Sequence, residues 1–376
     1  MDLSRLPFDS TDMLRRLKPW VLCESPTHDP AAVGRMMDLA AWELVSSGAR
    51  VERIPGRLGF GDCLRASFPH PKAGTPGILI MAHLDTVHPI GTLADLPWRE
   101  EDGTCFGPGI WDMKGGTVAA LEAVRGLAAA GLASPLPVTL LLTSDEEVGS
   151  PSTRDLIEAE ARRQRYVLVP EPAAPGRGVI TGRYAIARFH LESRGRPSHA
   201  GASLSEGRSA IREMARQILA IEDMTTPDCT FSVGIVHGGQ WVNCVATTCT
   251  GEALSMAKRQ ADLDAGVARM LALQGSTPET RFTATRTVTR PVWEPNNACM
   301  ALYETAQGVA ARLGLALPHH SAGGGSDANF TGALGIASLD GLGLVGGGGH
   351  TLTEHVEIAS LAERAKLIAG LLLELT

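Results

Sequence analysis

Six residues of the right types for metal-assisted hydrolysis stand at intervals along this chain: His83, Asp112, Glu146, Glu147, Glu171 and His350. His83 closes the apolar run Gly77-Ile-Leu-Ile-Met-Ala-His-Leu-Asp85. A short apolar run bounded by Gly and Pro reads as a buried strand of an α/β sheet. Ligands of open α/β sheets gather at the carboxyl ends of such strands. Asp85, two residues on, can reach back to the His83 imidazole and fix which ring nitrogen is free to meet a cation. Residues 138–143 form a second apolar run that ends in Ser144-Asp-Glu-Glu-Val-Gly149, and residues 166–169 form a third that ends in Pro170-Glu-Pro172. Singly these groups are ordinary: a satisfied strand-end histidine, a solvated acidic turn, a loop glutamate, a surface histidine among glycines. Their joint appearance after buried strands changes the reading. Two imidazoles (His83, His350) and three carboxylates (Asp112, Glu147, Glu171) suit zinc or a similar divalent ion. A pair of ions needs one bridging carboxylate. Glu146 stands beside Glu147, and one carboxylate of such an adjacent pair can ligate while the other handles a proton.

The elements that must position these groups follow a regular order. Residues 10–22 and 30–48 read as helices, and 50–54, 61–68 and 77–84 as strands. The segment 89–111 is rich in Gly, Pro and polar residues and reads as a long loop. A helix follows to about residue 130, with Leu121, Val124 and Ala128 on one side. Strands 138–143 and 166–169 flank a helix from about residue 152, which Ser152 or Thr153 could cap. This βαβ rhythm predicts a mainly parallel sheet flanked by helices. The rhythm changes near Arg183. Strand 185–193, helix 206–222, strands 230–236 and 242–254, helix 257–273 and strand 281–289 give the β-α-β-β-α-β order of a ferredoxin-like α+β domain. The first pattern then resumes with a helix near 298–313, loops at 321–329 and 344–350, and a last helix whose stripe is Leu361, Ala365, Ile368 and Leu372. The expected organisation is an α/β catalytic domain in two parts, 1–182 and 291–376, with an inserted α+β domain over 183–290.

With 376 residues the chain is long for one core, which agrees with two domains. Its net charge of −7 argues against a nucleic-acid or anionic-membrane surface. No apolar stretch is long enough to span a bilayer. The start, Met-Asp-Leu-Ser-Arg-Leu-Pro, lacks the basic and apolar regions of a signal peptide. The cysteines (Cys23, Cys63, Cys105, Cys229, Cys244, Cys249, Cys299) are scattered and odd in number, with no Cys-x-x-Cys pair. They predict a reduced cytoplasmic protein without a cysteine metal cage.

The motifs together resemble one family. His83-Leu-Asp85, Gly107-Pro-Gly-Ile-Trp-Asp112-Met-Lys-Gly-Gly116, Asp145-Glu146-Glu147-x-Gly149 and the Gly-Gly-Gly-Ser-Asp-Ala segment at 323–328 look like the M20 family of dinuclear zinc peptidases and amidohydrolases, in its glutamate carboxypeptidase (carboxypeptidase G2-like) branch. The resemblance covers nearly the whole chain. It implies two zinc ions per subunit, with cobalt or manganese as substitutes. His83 and Glu171 would hold one ion, Glu147 and His350 the other, and Asp112 would bridge them. Asp85 would orient His83, and Glu146 would be the general base towards the metal-activated water. His350 is preferred to His355 because Gly349-His-Thr-Leu-Thr-Glu-His-Val matches the family's ligand His followed by Glu four residues on. A non-proline cis peptide after Asp112 is also implied.

The inserted domain would serve as a lid and dimerisation module of a homodimer. In the family a histidine of that domain, from the partner subunit, helps to stabilise the oxyanion, and Ser198-His-Ala-Gly201 makes His199 the match. Asn243 and Arg290 match the pair that binds the substrate carboxylate; a guanidinium offers such a group a bidentate fork. Three departures are present: Ala246 where Pro is common, Leu254-Ser-Met256 in place of an acidic-and-Arg ending, and Trp111 where smaller residues are usual. They concern the substrate pocket rather than the ions. The expected activity is hydrolysis of an amide to release an amino acid with a free α-carboxylate, from an N-acyl amino acid or a peptide. A dipeptidase or an N-acetyl-amino-acid deacetylase is the alternative, and a non-catalytic binding protein on the same fold a remoter one. A cysteine hydrolase using Cys105 finds no Cys-His pairing to support it.

Overall fold

The structure is a computed structural model that describes Leu3 and residues 6–376. Residues 1, 2, 4 and 5, within the N-terminal stretch read above, lie outside the described residues. The chain divides into two compact units: Met1–Gly182 with Glu294–Ala322 and Ser326–Thr376, and Arg183–Trp293 with Gly323–Gly325.

The first unit is built on a six-stranded mixed sheet. Its spatial order is Arg50–Ile54, Cys63–Ser67, Val138–Thr143, Ile78–His83, Tyr166–Leu168 and Ala337–Leu339. The last four strands run parallel, and the first two are antiparallel additions. Ile78–His83 and Val138–Thr143 are buried at every position, as continuous apolar runs in a helix-covered sheet must be. Register matters for the site. His83 pairs with Thr143, so the two strands end level and their following loops emerge side by side. Helices Gly115–Ala129 and Ala359–Glu374 pack on this sheet's core, the latter through Leu361, Ala365, Ile368 and Leu372. Gly116 allows the first of them to approach the loop after Tyr166–Leu168, since a Cβ there would lie 1.9 Å from the Pro170 carbonyl oxygen.

The second unit has the expected β-α-β-β-α-β order. Its antiparallel sheet runs Cys229–Gly238, Thr248–Ala257, Ala185–Arg194, Arg281–Arg290, with helices Ala210–Glu222 and Gln260–Leu271. It has its own core, which includes Phe189, Met214, Ile221, Phe231, Leu263 and Met270.

Three local expectations fail. The loop expected at 89–111 contains a hairpin, Arg99–Glu101 with Thr104–Phe106, which joins His355–Glu357 and Gly346–Gly347 in a small sheet. The strand expected from residue 242 begins only at Thr248, and Val242 is fully exposed. Helix Arg154–Ala161 has no side-chain cap, because the Thr153 hydroxyl donates to Asp145 instead.

Candidate metal centre

The first unit brings the six groups together at the carboxyl end of its parallel strands. Asp112 lies between the two imidazoles: its Oδ1 is 3.3 Å from His83 Nε2 and its Oδ2 is 3.3 Å from His350 Nε2. Each imidazole has a second carboxylate. Glu171 Oε1 is 3.7 Å from His83 Nε2, and Glu147 Oε2 is 3.2 Å from His350 Nε2. Ligand atoms of His83, Asp112 and Glu147 all lie within 4.8 Å of one another, as do those of His83, Glu146 and Glu171. The Asp112–Met113 peptide is cis. His355, the rejected alternative to His350, turns elsewhere: its Nδ1 is 2.8 Å from the Thr353 carbonyl oxygen.

Asp85 lies against the His83 ring. It is the Asp85 backbone oxygen, 2.9 Å from His83 Nδ1, that holds the ring, while its carboxylate stands farther off at 3.5 Å. This leaves Nε2 facing the cluster. The Asp85 carboxylate accepts the backbone N–H of Glu146 and of Glu147, each at 3.2 Å, and the Thr27 hydroxyl at 2.8 Å. One buried carboxylate thereby fixes the turn that presents both glutamates.

The electrostatics of the cluster follow from its burial and its converging carboxylates. Burial, then the charge of Asp112, pushes the Glu171 carboxyl well above its usual range. Burial likewise raises Glu147, although His350 opposes it. Burial disfavours charge on His83, yet its hydrogen bonds to Asp112 and Asp85 outweigh this and hold its pKa well above the ordinary imidazole value. Burial also works against the Asp112 anion, but both imidazoles hold its carboxyl well below the carboxylate range. Hydrogen bonds to Asp112 and Glu147 raise His350 to about 10. The converging carboxylates thus favour positive charge at the centre of the cluster. The donor set of nitrogen and oxygen, with one carboxylate shared, fits a pair of zinc-like ions. His83 and Glu171 would hold one, Glu147 and His350 the other, and Asp112 both.

Sequence reading missed how the Asp112 loop is held. Glu354 is fully buried and accepts the backbone N–H groups of Gly109, Trp111 and Asp112 at 2.9, 2.8 and 3.0 Å. His88 Nε2 lies 2.6 Å from its Oε2. The only available signal was the placement of Glu354 four residues after His350.

The remaining candidates belong to the second unit. His199 is exposed, and its Nδ1 accepts the N–H groups of Gly201 and Ala202 at 3.1 and 3.0 Å. Asn243 is exposed; its backbone oxygen accepts the N–H of Ala200, which joins its loop to that of His199. Arg290 is buried, with its stem against Gly325, where a Cβ would lie 2.6 Å from the Arg290 Cδ.

Comparison with known proteins bears on the whole chain. The profile of peptidase family M20/M25/M40 matches residues 79–374, a span that contains all six clustered groups. The chain belongs to this family. Carboxypeptidase G2 of Pseudomonas sp. (strain RS-16) is 30% identical over 371 residues, covering 96% of this chain and 89% of that protein. Acetylornithine deacetylase of Myxococcus xanthus is 30% identical over 191 residues, 47% of this chain and 48% of that protein. A tripeptidase from Staphylococcus aureus subsp. aureus mu50 shares the fold, with a TM-score of 0.76 at 21% identity over 97% of this chain and 98% of its own. As an M20 protein the chain is a hydrolase acting on amide bonds, in a family that uses divalent metal.

Proposed function

We propose that this M20 enzyme is a zinc-dependent hydrolase that releases an amino acid with a free α-carboxylate from an N-acyl amino acid or a peptide of the glutamate-carboxypeptidase kind. The observation that carries the reading is Asp112 set 3.3 Å from each of two imidazoles, each backed by a further glutamate. Two zinc ions bound there would supply Lewis acidity for the scissile carbonyl and acidify a water near neutral pH. The chain's own groups do the rest. Glu146 takes a proton from the attacking water and delivers it to the leaving nitrogen. Asp85 keeps Glu146 and Glu147 in place through their N–H groups. His199 contributes to the oxyanion. The two N–H groups donated to its Nδ1 leave Nε2–H as the donor, the tautomer that this task requires. Asn243 and Arg290 bind the substrate carboxylate.

The test is a panel of N-acyl amino acids and free dipeptides offered to the zinc-loaded enzyme. Turnover of N-acyl substrates supports the proposal; hydrolysis confined to dipeptides with a free amine replaces it with a dipeptidase. Exclusive action on N-acetyl substrates favours a deacetylase, to which the Myxococcus relative lends some weight. Within the panel, Arg290→Ala should lower kcat/KM by roughly 10–100-fold, the worth of a charged hydrogen-bonding pair. Substrates whose carboxylate is amidated should not feel the change.

The second unit also supports a homodimer. Cys229–Gly238 is an edge strand, and Ile235, Val236, Trp241 and Leu219 are exposed around it and on the helix beside it. Light scattering at micromolar concentration should give twice the chain mass, and Val236→Asp should halve it. A wild-type mass of one chain would end the dimer proposal. The scattered, odd-numbered cysteines, with no Cys-x-x-Cys pair, support a reducing, cytoplasmic setting.

A further inference from the structure

The loops that deliver Asp112 and His350 hold each other. From one side, Glu354 of the His350 loop reaches across to the backbone N–H groups of Gly109, Trp111 and Asp112. From the other, Trp111 of the Asp112 loop lies on the glycines that lead into His350. A Cβ at Gly349 would lie 2.9 Å from indole Cε3 and Cζ3, and one at Gly346 would lie 2.8 Å from Cδ1. Trp111 Nε1–H also donates to the Leu344 carbonyl oxygen at 3.0 Å. The bulk of Trp111 is therefore absorbed by the absence of side chains opposite it. His350 itself has φ 63°, in the left-handed region that a histidine seldom occupies. Such a backbone conformation persists only where its surroundings impose it.

The remaining ligands are held in another way. His83 ends a buried strand and its ring is fixed by Asp85; Glu171 follows a second buried strand and is itself buried. His350 sits in a loop, and its side chain is 54% exposed. Asp112 is shared by both cation positions and Glu147, like His83 and Glu171, follows a buried strand, so the supports differ in His350, which rests on the contact between two loops.

We propose that Trp111 and Glu354 are positioning residues that form a reciprocal brace, and that this brace sets the affinity of the cation held by Asp112, Glu147 and His350 more strongly than that of the one held by His83, Glu171 and the shared Asp112, because two ligands of the first ion, but only one of the second, stand on the braced loops. The inference rests on the reading of this cluster as a two-ion centre. Neither residue need touch substrate. Its consequence is a stepwise release of ions, with the His350 ion leaving first.

The experiment measures metal content by elemental analysis and the two zinc dissociation constants by chelator competition. Trp111→Phe removes the N–H donor and keeps most of the ring. Trp111→Ala removes the contact with Gly349, and Glu354→Gln exchanges one acceptor oxygen for a donor. Each should weaken the His350 ion by about 10–100-fold, the usual cost of losing a group that orients a ligand, and the other ion, which shares only Asp112 with the braced loops, by several-fold less. Gly349→Ala should do the same, because its methyl meets the indole, and the penalty should shrink when Trp111→Ala is also present. That non-additivity is the mark of direct contact. A stoichiometry of two ions with both affinities unchanged in these variants, equal weakening of both ions, or additive penalties for Gly349→Ala and Trp111→Ala would each overturn the brace. If Trp111→Ala does not fold, Trp111→Phe and Glu354→Gln carry the test alone. A wild-type protein that binds no zinc overturns instead the two-ion reading on which the brace depends, so the two failures are told apart.

Discussion

Glu146→Gln should retain its metal and lose roughly 10²–10⁴-fold or more in turnover, the range expected when a positioned proton-transfer group is removed. The substitution preserves shape and hydrogen-bonding span but cannot accept a proton from water. Glu146 is nearly buried, and its backbone N–H is tied to Asp85 Oδ1 at 3.2 Å, so the altered side chain stays where it was. Its carboxylate belongs to the same close group as the His83 imidazole and the Glu171 carboxylate. The measurement is kcat on the best substrate of the panel, with elemental analysis on the same sample. Near-normal turnover with metal bound would reject Glu146 as the base.

Removal of the metal should be as severe. Lewis-acid stabilisation is worth several kcal/mol, and at about 1.4 kcal/mol per tenfold this corresponds to a loss on the order of 10³-fold. Dialysis against a chelator should abolish activity and added zinc should restore it. Asp112→Ala should show the same loss without rescue, since both imidazoles lose the carboxylate they share at 3.3 Å. Uptake of zinc should also depend on pH. A cation at this place must displace the proton that Asp112 and Glu147 hold on His350 up to about 10. Affinity therefore rises with pH below that value and weakens in acid. Full activity in protein shown to be metal-free would end the metallohydrolase proposal, and zinc affinity independent of pH would contradict the assignment of His350.

The sequence made the sheet legible because its inner strands Ile78–His83 and Val138–Thr143 are buried at every position and are therefore largely apolar runs. It also made the ligands legible because they follow such strands directly. The hairpin Arg99–Glu101 with Thr104–Phe106 was hidden for the opposite reason. Its strands are three residues long and its first is fully exposed, so no alternation of apolar residues marks it. Residues 242–247 misled by composition: Val242 and Val245 look like strand, but Val242 is solvent-facing and the segment pairs instead with the His199 loop. The Asp85 carboxylate and Glu354 act on backbone N–H groups far away in the chain. Such partners leave no trace in residue spacing, since every residue but proline offers the same donor.

The second unit enters and leaves through adjoining chain segments. Arg183 N–H donates to the Trp293 carbonyl at 2.9 Å, and Trp293 N–H returns the bond to Arg183 at 3.0 Å. An intervening module whose two ends are stitched together can be exchanged with little demand on its host, because the gap to be closed stays the same. The six clustered groups all lie outside that module, whereas Asn243, Arg290 and His199 lie inside it. On the roles proposed for those three residues, diversification of what such a hydrolase recognises can proceed by grafting or drift in residues 183–293, with the clustered groups outside them inherited intact.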